Sequence, residues 1–165
     1  MQILIASDGS ACARDAALFA CHIARPARAG VLLLGVIEKP QAEPALRRAL
    51  DELRQEIIQS GVGHCEIKLR TGEPAEQILL EAHEQYYHLT VVGARGLRRL
   101  FGIVVGSTTL RLAQQIRSPL LIATQPSPAI YRMLVCTSGE KLAESNALVG
   151  GTIAALVGAR VTVLH

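Results

Sequence analysis

Five short runs of aliphatic residues, with helix-period stretches between most of them, constrain this chain more than any other feature. Ile3-Leu4-Ile5-Ala6-Ser7, Val31 to Ile37, Leu89-Thr90-Val91-Val92 and Pro119-Leu120-Leu121-Ile122-Ala123 read as short buried strands, and His64 to Leu69 alternates like a further one. Near-continuous apolar runs of this length belong to strands covered on both faces. Between them, Ala11 to Arg28 carries Ala13, Ala16, Ala17, Ala20, Ile23 and Ala24 at helical spacing. A second helix is expected from about Ala45 to Ser60, with Leu46, Leu50, Leu53, Ile57 and Ile58 on one face. A third starts at Pro74, an allowed first-turn position, and runs to about Tyr87; a fourth spans about Ser107 to Gln115. This alternation predicts an α/β fold, an open parallel five-stranded sheet with helices on both faces, wound by right-handed crossovers.

Composition narrows the function classes. Half of the 165 residues are hydrophobic but only 3% are aromatic, so the core is built from Ala, Val, Leu and Ile. The net charge of +3 can attract a phosphorylated ligand but is a poor match to a nucleic-acid surface. The few rings (Phe19, Tyr86, Tyr87, Phe101, Tyr131) cannot build a base-stacking platform, so no nucleic-acid partner is expected. No apolar run reaches the ~18 residues of a membrane span, and Met1 leads directly into a strand pattern. Cys12, Cys21, Cys65 and Cys136 are scattered, with no C-x-x-C pair. Buried free thiols in a reducing cytosol are therefore expected rather than disulfides or a zinc site, and the localisation read here is cytoplasmic.

A domain is expected over residues 1–124, a linker over 125–130 with Pro126 and Pro128, and a partial repeat over 131–165. Residues 133–165 align without a gap on residues 3–35, and ten of the 33 pairs are identical, including Gly9 with Gly139. A match that keeps the turn glycine favours duplication over coincidence. A lone β-α-β unit cannot cover both faces of its sheet. It is expected to lean on the first domain or on a partner chain, or to continue past His165.

The chemistry is expected beyond the carboxyl ends of the strands, where the winding direction switches. Asp8 ends the first strand and Gly93 the fourth, so their loops face one crevice if those strands are neighbours. The spacing Gly93-x2-Gly96-x9-Gly106-Ser107 brings glycines, which let backbone approach a phosphate, to the start of a helix with unpaired N–H groups. Ser107 and Thr108 add hydroxyls and Arg95 adds charge; Arg98 and Arg99 either reach the phosphates or form a solvated loop face. No G-x4-G-K-S/T is present, and the first strand is followed by SDGSACAR, so neither a Walker-A loop nor a dinucleotide fingerprint applies. Asp8 reads alternatively as a helix cap. Glu73 and Glu76 suit a helix start, and His83 and His88, five apart, do not align as a metal pair. No catalytic residue and no metal ligand are nominated.

The strand ILIASDGS, the strand end LLGVIE, and VVGARGLRRLFGIVVGSTT followed by SPLLIA resemble the universal stress protein family, in its ATP-binding branch with the motif G-x2-G-x9-G-S/T. The resemblance covers residues 1–124, and 131–165 resembles the first quarter of another copy, as in tandem members. It implies strand order 3-2-1-4-5 in an adenine nucleotide alpha hydrolase-like arrangement. It further implies that Gly93, Gly96, Gly106 and Ser107 hold phosphates, and that Asp8 contacts the ribose side or a metal-bridged phosphate. Ala6 and Val36 would line the adenine pocket, and Val92 would add a nucleotide contact. The implied ligand is ATP, with or without Mg2+, and the implied assembly is a homodimer through Leu120 to Ala123, unless residues 131–165 occupy that edge or mimic part of a partner. Ser138 stands in the second copy where the first has Asp8, so that copy is not expected to bind nucleotide alone. The leading function is nucleotide-dependent regulation in a stress response. Slow ATP hydrolysis or autophosphorylation at Ser107 or Thr108 is one alternative; a dimerisation module without ligand is the other.

Overall fold

The computed structural model describes residues 1–94, 98–100, 103–124, 129–136 and 141–164, with two units, Met1–Pro126 and Ser127–His165. In the first unit the elements are β1 (Gln2–Ala6), α1 (Ala11–Ala24), β2 (Gly30–Ile37), α2 (Glu43–Gln59), β3 (His64–Thr71), α3 (Pro74–Glu84), β4 (Leu89–Gly93), β5 (Arg98–Leu100), β6 (Ile103–Val105), α4 (Ser107–Gln115) and β7 (Leu120–Ala123). A 3-10 turn at Pro40–Ala42 precedes α2. The main sheet runs β3-β2-β1-β4-β7 with every pair parallel, the expected order 3-2-1-4-5 once the small antiparallel pair is set aside.

The sheet is covered on both faces. On one, Leu4, Ala6, Leu34 and Val92 pack with Ile78 and Leu79 of α3 and Leu112 of α4. On the other lie the small residues Ala13, Ala16, Ala17 and Ala20 of α1, with Leu46, Leu50, Leu53 and Ile57 of α2, all buried. Ile58, expected on the same face of α2, is instead 44% exposed, since the residue after Ile57 turns about 100° away from it. Ile3, Leu4, Ile5, Leu33 and Leu34 have no exposure, as the continuous apolar runs require.

Three local features depart from the sequence expectations. Helix α1 stops at Ala24 instead of Arg28, because Pro26 has no N–H to continue the ladder. The chain then reverses through Arg28, whose φ of 47° is left-handed. Helix α3 likewise stops at Glu84, with Gln85 already extended. Within the glycine segment, Arg98–Leu100 and Ile103–Val105 form an antiparallel pair, for which the β-branched run 103–105 is the local signal.

The most consequential buried group is a carboxylate. Glu81 of α3 is 1% exposed. It accepts hydrogen bonds from Arg70 Nε at 2.8 Å and Tyr87 Oη at 2.9 Å, and pairs with Lys68 Nζ at 2.6 Å. Arg70 also pairs with Glu84. This cluster fastens α3 to the edge strand β3. Burial alone would raise the Glu81 carboxyl; the hydrogen bonds from Lys68, Arg70 and Tyr87 outweigh it and hold the group below its ordinary value. The Tyr87 phenol is raised, by burial first and then by its bond to Glu81.

All four cysteines are free. Cys21 and Cys65 are buried as expected, and burial pushes the Cys65 thiol up to about 11. Cys136 is exposed and Cys12 half-buried, so the expectation of buried thiols fails for these two. His88 accepts the Gln2 N–H at its Nδ1, and no three metal-ligating side chains cluster among the described residues. No helix among them is long and apolar enough to cross a membrane.

The second unit comprises β8 (Arg132–Cys136), α5 (Lys141–Val157) and β9 (Arg160–Leu164), with β8 and β9 parallel. Val135 faces α5, where a Cβ on Gly150 would come within 2.7 Å of it.

Candidate functional site

A crevice of about 480 Å³ opens at the carboxyl ends of β1, β2 and β4, where the sheet's winding reverses. That volume suits a small organic ligand. Its position follows from register: Ala6 pairs with Leu34 on one side and Val92 on the other, so three strands end together. Its lining combines apolar side chains, Ala6, Leu34, Val36, Val92 and Ile78, with polar groups at Ser7, Asp8, Ser10, Glu38 and the start of α4.

The sequence-selected residues Ala6, Asp8, Val36, Val92, Gly93, Gly106, Ser107 and Thr108 all line this crevice. Arg95 and Gly96 lie outside the described residues, as do the side chains of Arg98 and Arg99. Asp8 does not cap α1. Ser10 does, accepting the Ala13 N–H at 3.2 Å, while Asp8 Oδ1 accepts the Ser10 N–H at 3.0 Å. Gly9 makes the turn with φ of 77°, a conformation that favours glycine.

Three helices begin at this crevice, and their first turns are finished differently. Helix α1 is capped by Ser10. Helix α3 is capped by Glu73, whose carboxylate accepts the N–H groups of Ala75 and Glu76 at 3.1 and 2.9 Å. Helix α4 begins at Gly106, which has no side chain to offer. Among the described residues no side chain caps the first-turn amides of α4, which lie at the positive end of its dipole and line the crevice. One contact holds this end against β4: Thr109 Oγ1 donates to the Gly93 carbonyl at 3.4 Å. Just past β4, the Ala94 N–H donates to the Ala123 carbonyl of β7 at 2.9 Å. Gly93 is constrained by closeness: a Cβ there would lie 3.0 Å from the Cys12 carbonyl oxygen and 3.1 Å from its Sγ.

Sequence reasoning missed several lining residues. Glu38 lies two positions beyond Val36 and so follows it on the same face of the chain, a signal that was available from strand alternation. Cys12 and Ile78 reach the crevice only because α1 and α3 start beside it, which no local pattern discloses.

A five-stranded parallel sheet with its crevice at the reversal point defines a doubly wound α/β protein, a class in which ligands bind beyond the strand ends. Within that class the chain belongs to the universal stress protein family, whose profile matches residues 1–124. It is 32% identical over 131 residues to a universal stress protein encoded in the QAH/OAS sulfhydrylase 3' region of Thermus aquaticus, covering 73% of this chain and 96% of that one. It is 27% identical over 149 residues to the universal stress protein YxiE of Bacillus subtilis, covering 73% and 97%. Among solved structures, a universal stress protein in complex with cAMP superposes with a TM-score of 0.66 at 25% identity, over 77% of this chain and 98% of that one. A universal stress protein from Archaeoglobus fulgidus gives a TM-score of 0.85 at 17% identity, over 99% of this chain and 66% of that one.

Proposed function

We propose that this chain is a nucleotide-dependent regulatory protein whose crevice binds an adenine nucleotide, ATP with or without Mg2+. The observation that carries the proposal is the bare first turn of α4 beside an apolar slot. The slot of Ala6, Val36, Val92 and Ile78 suits a purine, and the amides after Gly106 suit phosphate oxygens. The complex of a similar universal stress protein with cAMP supports a nucleotide as the ligand. No cluster of three metal-ligating side chains occurs among the described residues, so Mg2+ would be held by Asp8 together with the phosphates rather than by a protein cage. Isothermal titration is the test. One ATP per chain is expected, held at least about tenfold more tightly than adenosine because of charge-assisted bonds to the α4 amides. Absence of heat with ATP and Mg2+, together with no nucleotide in the purified protein, would sink the reading.

Three further readings accompany it. The chain is cytoplasmic, in keeping with its four free thiols. It forms a homodimer through β7, which ends the sheet order beside β4 among the described residues and carries Leu120, Leu121 and Ile122. The second unit is a partial repeat of the first: its β-α-β order, with β8 and β9 parallel, matches β1-α1-β2, and ten of 33 aligned residues are identical. The nucleotide site belongs to residues 1–126 in this scheme. A chain shortened to those residues is expected to bind ATP within about twofold of the full chain by titration, since a factor of two is under 0.5 kcal/mol. A larger loss would assign part of the site to the second unit.

A further inference from the structure

We infer that Arg111 is a positioning residue for the crevice, fastening the bare first turn of α4 to the first turn of α3. It stands one turn into α4, four residues after Ser107. Its Nη1 donates to Glu73 Oε2 at 2.9 Å and its Nη2 to Glu76 Oε1 at 3.2 Å. Glu73 Oε2 is the same oxygen that accepts the Glu76 N–H, so one carboxylate caps α3 and receives the tie from α4. Pro74 and Ile78 of α3 and Gly106 to Thr109 of α4 line the crevice from the two helices so joined.

Exposed ion pairs taken singly contribute little, and these groups are 40–58% exposed. The arrangement here differs because both guanidinium nitrogens act at once on two carboxylates, one of them already fixed by backbone amides. Its effect falls on geometry: it sets the spacing between the apolar slot and the α4 amides. Arg111 points its charge at Glu73 and Glu76, not at the crevice, and does not line it.

Positioning and simple charge predict opposite signs for one substitution. If Arg111 and Glu76 acted on an anionic ligand only through their charges, Arg111→Ala would weaken ATP binding and Glu76→Gln would strengthen it. The tie predicts that both weaken it, by about fivefold for Arg111→Ala and less for Glu76→Gln, with the double variant no worse than Arg111→Ala. Arg111→Lys, which keeps the charge but loses the fork, is expected between wild type and Arg111→Ala.

The inference rests on the nucleotide reading for its binding arm, so a second readout without nucleotide accompanies it. The Leu110 N–H donates to the Gly106 carbonyl and reports the first turn of α4. Its hydrogen exchange is expected to accelerate severalfold in Arg111→Ala and in Glu76→Gln. Tighter ATP binding by Glu76→Gln, or unchanged Leu110 exchange in Arg111→Ala, overturns the tie. If the wild type binds no nucleotide, the functional reading fails alone and the exchange measurement decides this inference. Should Arg111→Ala not fold, Arg111→Lys and Glu76→Gln carry both readouts.

Discussion

A Gly106→Asp variant is expected to lose ATP binding by at least about a hundredfold while unfolding at a temperature no lower than the wild type. Gly106 has φ of −75° and ψ of 161°, extended geometry that aspartate adopts without strain at a helix start. The new carboxylate would accept the N–H groups of the first turn, as Ser10 does for α1 and Glu73 for α3. Replacing glycine by aspartate at an N-cap adds only a few tenths of a kcal/mol, so the gain in stability is small. The loss in binding is large for two reasons that add. The amides meant for phosphate are consumed, and a negative charge enters the crevice that must receive another. Titration and thermal unfolding on the same sample separate the two effects. Retention of ATP affinity within about threefold would place the phosphates away from α4.

Glu81→Ala is expected to destabilise the first unit by about 3 kcal/mol. Removing one member of a buried charge cluster leaves its partners without compensation, and the Tyr87 hydroxyl loses its acceptor as well. The lower end of the usual range applies because Lys68 is 40% exposed and can turn to water, while Arg70 retains Glu84. The unfolding midpoint should fall by about 10 °C. The effect has a defined pH dependence. Glu81 is held below the ordinary carboxyl value of 4.5, so its contribution is present in full above that value. It is lost as pH falls through the folded-state value. The stability difference between wild type and variant should therefore be widest near neutrality and shrink below about pH 4. Chemical unfolding at pH 7 and pH 3.5 checks this, and a difference that is the same at both would contradict the charged state assigned to Glu81.

What could be read from the sequence follows from range. The runs at Ile3–Ala6 and Leu89–Val92 identify themselves as buried strands because their neighbours along the chain are apolar, and family resemblance supplied their order. The crevice was legible for the same reason: Asp8, Gly93 and Gly106 sit where strands end and helices start. Pairings between distant side chains left no such trace. Glu81 reads as one more charge on a helix until Lys68, Arg70 and Tyr87 are brought around it. Arg111 meets Glu73 across 38 positions of chain, and no periodicity links them. The segment Asp8-Gly9-Ser10 is legible as a turn and helix cap, but Asp8 and Ser10 stand two residues apart in one turn, and only the observed bonds divide the roles between them. The antiparallel pairing of 98–100 with 103–105 was obscured by the glycines around it, which suggest loop more strongly than three β-branched residues suggest strand.

The absence of a side-chain cap at Gly106 makes the ligand a structural part of the protein under the proposed function. A nucleotide at that helix start would act as the capping group that the sequence omits, and order in α4 would then follow nucleotide concentration. At a free concentration about a hundredfold above the dissociation constant, the linkage is worth about 2.7 kcal/mol, a sizeable fraction of an ordinary domain's stability. Helix α4 also packs beside β7, the strand proposed to pair with a second copy. A cellular nucleotide level would thus be converted, through one missing side chain, into the firmness of an assembly edge.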